Sequence, residues 1–155
     1  MSRAFVRERD DAPAEALPEL QQSGQTNFVT PRGLRLIEQK LFELNEALAA
    51  GPGEDDKARI LRDLRYWTAR RASARLVEHK AEDSEVAFGS EVVIRRHGGP
   101  PEMFQIVGED EADPAQGRIS YVSPIAQALM GARAGETVEV ENRRPPLELE
   151  VVSVR

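Results

Sequence analysis

Leu34, Ile37, Leu41, Leu44 and Leu48 recur at steps of three and four through TPRGLRLIEQKLFELNEALAAG (30–51), with mostly polar residues between them. That spacing is a heptad seam held for about two heptads, the mark of a helix packed along one stripe against another. Thr30 suits the N-cap and Pro31 the first helical position. Gly51-Pro52-Gly53 cannot continue the helix. A second helix is predicted from about Asp55 to Lys80, with Ile60, Leu64, Trp67 and Ala74 on its apolar face and Arg71 interrupting the seam. So short a turn folds the two helices antiparallel. Helices of roughly 20 residues make a finger about 30 Å long.

From Val86 the period changes to two. VVIRR (92–96), MFQIVG (103–108), RISYV (118–122), TVEVE (137–141) and LELEVVSV (147–154) read as strands. HGGPP (97–101) and NRRPP (142–146) are turn chemistry between them. PIAQALMG (124–131) is the one helical insertion, with Gly131 as its stop. The fold class is therefore α+β: an N-terminal antiparallel helical hairpin, a coiled coil, followed by a small, largely antiparallel β domain. The expected organisation is a flexible arm over residues 1–28, the hairpin over 29–81 and the β domain over 82–155. Phe5 and Val6 are the arm's candidate contacts with a surface.

Composition narrows the chemistry. The 155 residues include no cysteine and only two histidines, His79 and His97, on different predicted elements. Thiol catalysis, disulfides and thiolate metal sites are excluded, and a zinc or His-triad enzyme is short of ligands or a general base. No apolar run reaches the roughly 18–20 residues of a membrane span, and the first 20 residues lack the apolar core of a signal peptide, so a cytoplasmic protein is expected. The formal net charge of −6 is unevenly spread. Between Lys57 and Lys80 eight basic residues face two acidic ones, a net of +6. Arg59, Arg62, Arg65 and Arg70 are the candidate basic face. It reads either as a solvated face whose long stems cover a neighbouring seam, or as a surface steered toward an acidic channel or a nucleic-acid backbone. Tyr66 and Trp67 are adjacent, so no aromatic ladder for stacking on bases accompanies the arginines.

Three further stretches carry candidate chemistry. Glu54, Asp55 and Asp56 follow Gly53 at the hairpin turn. Acids in the first turn complement the helix dipole, and as hard oxygen donors they also suit Mg²⁺ in a partner's active site. GEDEADPAQG (108–117) lacks the spacing of an EF-hand loop and reads as a solvated connection. Ser123-Pro124 is a cap and a first helical residue, and so a corner.

FQIVGEDEADPAQGRISYVSPIAQALMGARAGETVEV (104–140) resembles the C-terminal domain of the bacterial Gre transcript-cleavage factors. VAFGSEV (86–92) resembles that domain's opening and VTPRGLRLIEQKL (29–41) the start of the Gre hairpin. The resemblance implies an FKBP-like β domain that grips RNA polymerase at the rim of its secondary channel. The hairpin would then enter the channel and approach nascent RNA only indirectly. Ser123, Pro124 and Ile125 are the implied docking residues. Tip carboxylates would help the polymerase hold a shared Mg²⁺ for cleavage of backtracked RNA, a two-metal displacement. Such a factor is not an enzyme by itself, has no intrinsic cofactor or metal of its own, and needs no membrane. The Gre tip pattern is absent, however, and the segment between TPRG and VAFG is shorter than in cleavage factors. The alternative is an Rnk-like, non-cleaving competitor at the same polymerase site. Two readings from other classes are a prolyl isomerase, which would need more pocket aromatics than Phe88, Phe104 and Tyr121, and a free RNA- or DNA-binding protein using the arginine helix.

Overall fold

The computed structural model describes residues 17–82 and 84–155. Phe5 and Val6 lie outside them. Thr30 caps the first helix as its sequence suggests: its Oγ1 accepts the Gly33 N–H at 3.0 Å. Helix α1 runs Pro31–Ala49 and helix α2 runs Glu54–Ser73, joined across Gly51-Pro52-Gly53. Ile37, near the base, is fully buried, whereas Leu34, Leu41, Leu44, Leu48, Ile60, Leu64 and Trp67 are half-buried. A rod of two helices covers each seam residue from one side only, which is why burial is complete only near the base.

The second helix stops seven residues short of the expected Lys80. Ala74 takes an extended conformation (ψ 129°), so it is a helix cap and not a seam position. The reason is a partner supplied from far away in the chain. Residues Phe28–Val29 form strand β1, and Arg75–Leu76 form β2, paired parallel to it. The Asn27 side-chain amide donates to the Arg70 carbonyl at 2.8 Å, satisfying one of the orphan acceptors at the helix end. The Arg75 and Val77 N–H groups then bond to the carbonyls of Asn27 and Val29, each at 2.9 Å. Asn27 and Phe28 therefore belong to the hairpin base and not to an arm. Residues 17–26 are exposed apart from a few polar contacts, and contain no helix or strand.

In the β domain, Glu91–Arg95 (β3), Pro101–Val107 (β4), Arg118–Ser120 (β5), Thr137–Val140 (β6) and Leu147–Val154 (β7) form one sheet in the order β5-β4-β3-β7-β6. All pairings are antiparallel except β4 with β5, which is parallel, so the sheet is mixed. The sequence favoured antiparallel neighbours. The ten-residue connection 108–117 is long enough to carry the chain back beside Gln105 before it re-enters the sheet, where a tight hairpin would reverse it. Helix α3, Pro124–Leu129, packs on the inner face. Val92, Ile94, Ile106, Leu129, Leu149 and Val151 are wholly buried there. No helix among the described residues is long and apolar enough to cross a membrane.

Two of the contacts between the hairpin base and this domain involve Phe28. Phe28, Phe88 and Tyr121 stack mutually, with ring centroids 5.5–5.9 Å apart and inclined to one another. Gly108 comes so close to β1 that a Cβ there would lie 2.3 Å from the Phe28 carbonyl oxygen, a position only glycine can occupy.

Candidate functional site

At the corner, the Ser123 hydroxyl accepts the Ala126 N–H at 3.3 Å and Pro124 takes the first helical position. The Ser123 N–H donates to the Ser120 carbonyl and the Gln127 amide donates to the Tyr121 carbonyl, at 2.9 and 2.6 Å. These bonds fix the turn from β5 into α3. Pro124 is exposed and Ile125 half-buried. On one side lies a groove of about 520 Å³ lined by Phe104, Ile119 and Ile125, by Arg143 and by the Arg96–Glu102 ion pair. On the other side Pro124 borders a second groove of about 600 Å³ that carries Glu139 and Glu141. The corner is thus a ridge between a groove that holds Arg143 and an Arg96–Glu102 pair and a groove with carboxylates. Of the three β-domain aromatics, Phe88 and Tyr121 are engaged with Phe28, and Phe104 alone faces the first groove.

At the far end of the hairpin, Glu54, Asp55 and Asp56 occupy the first turn of α2 and are all exposed. Gly53 offers no side chain to cap that turn, so the three carboxylates are the groups that complement the helix dipole. Asp56 also accepts from Arg59 at 3.0 Å. Glu54 and Asp55 make no ion pair among the described residues, where no group of three or more His, Asp or Glu is arranged to hold a metal ion.

The basic face differs from its sequence reading. Arg59 and Arg65 are exposed, but the side chain of Arg62 is only 19% exposed and bonds to Asp63. Arg70 is 3% exposed and belongs to no surface. It points into the joint between hairpin and sheet, where its Nε donates to Asp110 at 2.6 Å and its Nη2 to Asn27 Oδ1 at 2.8 Å.

That joint is built from the acidic loop that the sequence presented as a solvated connection. Asp110 takes Arg70 on one carboxylate oxygen and the Tyr66 hydroxyl on the other, the latter at 2.5 Å. Glu111, 4% exposed, accepts from Thr30 Oγ1 at 2.6 Å beside the first turn of α1. A carboxylate is favoured at that positive helix end. Gly33 makes room for it: a Cβ there would sit 3.0 Å from Glu111 Oε2. One polar cluster therefore locks Asn27, Thr30, Tyr66 and Arg70 of the hairpin base to Asp110 and Glu111 of the β domain. Periodicity does not reveal such a cluster. The available signal was the complementarity between four acids at 109–113 and the arginines that end α2.

Burial, and then the hydrogen bond to Asp110, pushes the Tyr66 phenol up to about 12. Burial likewise raises Tyr121, with Glu109 adding to it. A group raised by folding contributes all of its stabilisation below its unfolded value, near 10, and loses it as pH climbs through the folded value. Stability should therefore fall between about pH 10 and 12 more steeply in the wild-type chain than in Tyr66→Phe. Urea unfolding across that range measures the difference; parallel curves would show that Tyr66 is not coupled to folding.

A two-helix rod with exposed carboxylates at one end, locked at the other to a sheet domain with a grooved corner, defines a two-part α+β molecule. Comparison with known proteins gives this class a family. Residues 81–155 match the family model for the C-terminal domain of transcription elongation factors GreA/GreB. The chain is 30% identical over 151 residues to the transcription elongation factor GreB of Neisseria meningitidis serogroup B, covering 83% of this chain and 93% of that protein. It is 30% identical to GreA of Pseudomonas putida, covering 82% and 94%. Among solved structures, the GreA factor homolog Gfh1 of Thermus thermophilus aligns over 84% of this chain and 99% of its own, at 21% identity and a TM-score of 0.41. The chain belongs to the GreA/GreB family of transcription elongation factors.

Proposed function

We propose that this protein binds RNA polymerase through the Ser123-Pro124 ridge, with Ile125 and the flanking grooves completing the contact, and directs its hairpin into the secondary channel. The observation that carries this reading is the separation of the two ends. The tip acids lie 14 to 16 residues along α2 from the buried Arg70, about 21–24 Å at helical rise, and the hairpin touches the β domain through its base. A partner held at the ridge would meet the carboxylates at a fixed remove. Glu54 and Asp55 are hard oxygen donors without internal partners among the described residues, and Mg²⁺ usually takes one or two protein carboxylates. Within a polymerase, such an ion stabilises the attacking and leaving oxygens of RNA cleavage. The role of this chain is to carry the two carboxylates there and hold them.

The expected result is retention of the protein on core polymerase in co-purification, together with faster cleavage of backtracked transcripts. The double substitution Glu54→Gln, Asp55→Asn should keep polymerase binding and lower the cleavage rate by about tenfold or more, the scale on which losing an electrostatic stabiliser acts. A second reading is favoured by the Asp56–Arg59 pair, which removes one tip acid from the available set. Polymerase binding with no stimulation of cleavage would establish that reading, a non-cleaving occupant that excludes other channel factors. Failure to bind polymerase would refute both.

A further inference from the structure

We propose that residues 17–26 form a displaceable guard over the basic face of α2, held there in competition with the phosphodiester backbone of a single-stranded nucleic acid. The segment follows a definite path. Beyond the buried Asn27, the Thr26 carbonyl accepts from the Tyr121 hydroxyl, and the Ser23 hydroxyl donates to Glu109 at 2.6 Å. Glu19 reaches Arg65, whose Nε and Nη2 donate to its carboxylate at 3.1 and 2.5 Å. Toward the N-terminus, the contacts on α2 thus move from Arg70 to Arg65, in the direction of the tip.

The partners of the α2 arginines differ in kind. Arg59 and Arg62 pair with acids on their own helix, Arg71 pairs with Glu38 of α1, and Arg70 is sealed in the joint. Among the described residues, only Arg65 of these is neutralised by a segment outside helix, strand and core. That segment buries almost nothing: Leu17 and Leu20 are 41% and 37% exposed, and both members of the Glu19–Arg65 pair are more than half exposed. Contacts of this sort open at little cost, so the guard is among the first parts of the molecule to lift. Its tether at Asn27 also returns it readily, because the competing carboxylate stays at high local concentration.

The chemistry of Arg65 indicates what displaces Glu19. A guanidinium that forks onto a carboxylate presents the same geometry to a phosphate. Toward the tip, Lys57 is exposed and Arg59 is held only by its exposed pair with Asp56, so both can meet a backbone of repeated negative charge. This inference stands apart from polymerase docking, since it concerns the free protein and a nucleic-acid strand alone.

The test uses full-length protein and a labelled oligouridylate of about 20 nucleotides, titrated by fluorescence anisotropy at several salt concentrations. Glu19→Gln should bind about two- to fivefold more tightly than wild type, the range that an exposed ion pair supplies. Its salt dependence should steepen by about 0.7 in the logarithmic slope, one phosphate's worth on a single strand. In an Arg65→Gln background, Glu19→Gln should change nothing. The proposal is overturned by unchanged affinity, by an equal gain without Arg65 (a general charge effect), or by no measurable binding of either protein. It is overturned too if the gain appears with polyglutamate and not with the oligonucleotide, which would make an acidic protein the competitor.

Discussion

Replacing Arg70 with alanine should destabilise the protein by about 3–5 kcal/mol, the usual cost of removing one member of a buried ion pair. The size follows from what is left behind. The Arg70 and Asp110 side chains are 3% and 8% exposed, and Asp110 would keep only the Tyr66 hydroxyl as a partner. Asn27 would lose its guanidinium donor while continuing to hold the end of α2 through the Arg70 main-chain carbonyl. Lysine should rescue little, because its single ammonium cannot reproduce the two directed bonds to Asp110 and Asn27. Urea unfolding measures the loss, and hydrogen exchange locates it. Amides of β1, β2 and the α2 end should exchange first while those of β3, β4 and β7 remain protected. A cost below about 1 kcal/mol would mean that the aromatic trio of Phe28, Phe88 and Tyr121 holds the joint without the charged cluster.

Pro124→Glu should weaken polymerase binding by about 30-fold or more, the scale of a hot-spot residue at the centre of an interface. Pro124 is exposed, and an acid in the first turn of a helix is tolerated, so the substitution should leave thermal stability close to wild type. Its effect would come from a charge placed on the ridge between the Arg143 and Glu139 sides. Arg143→Glu, across the first groove, should also weaken binding if an acidic partner segment enters there, and should weaken it more at low salt than at high salt. The tip variant Glu54→Gln, Asp55→Asn supplies the contrast, since it should bind normally. Unchanged binding by Pro124→Glu, with wild-type stability, would move the docking surface away from this corner.

The elements that could be read in advance were those specified by residues close in sequence. The Leu34-to-Leu48 seam, the Thr30 cap, the Gly51-Pro52-Gly53 break and the alternation of Leu147–Val154 each lie within a few residues of what they determine. What escaped depends on residues far apart. The end of α2 is set by Asn27, 43 positions before Arg70, and Glu111 meets Thr30 across 81 positions. Neither contact leaves a periodic trace. Arg70 also stands beside Arg71 in a run of cations, and nothing local separates the buried one from the exposed one. The parallel entry of β5 escaped for a related reason: alternation marks a strand and is silent about its direction. Of the candidate site, the corner and the tip were legible as motifs, whereas the joint that relates them was not.

That joint has a mechanical consequence. Any tilt of the finger is set where Gly108 meets the Phe28 carbonyl and Asp110 grips Arg70, roughly 21–24 Å from the carboxylates it carries. A lever of that length turns a tilt of about 5° into a sweep of roughly 2 Å at the far end, about the length of a whole bond from oxygen to Mg²⁺. Accuracy at the tip is therefore decided at the fulcrum, by side chains far removed from the carboxylates themselves.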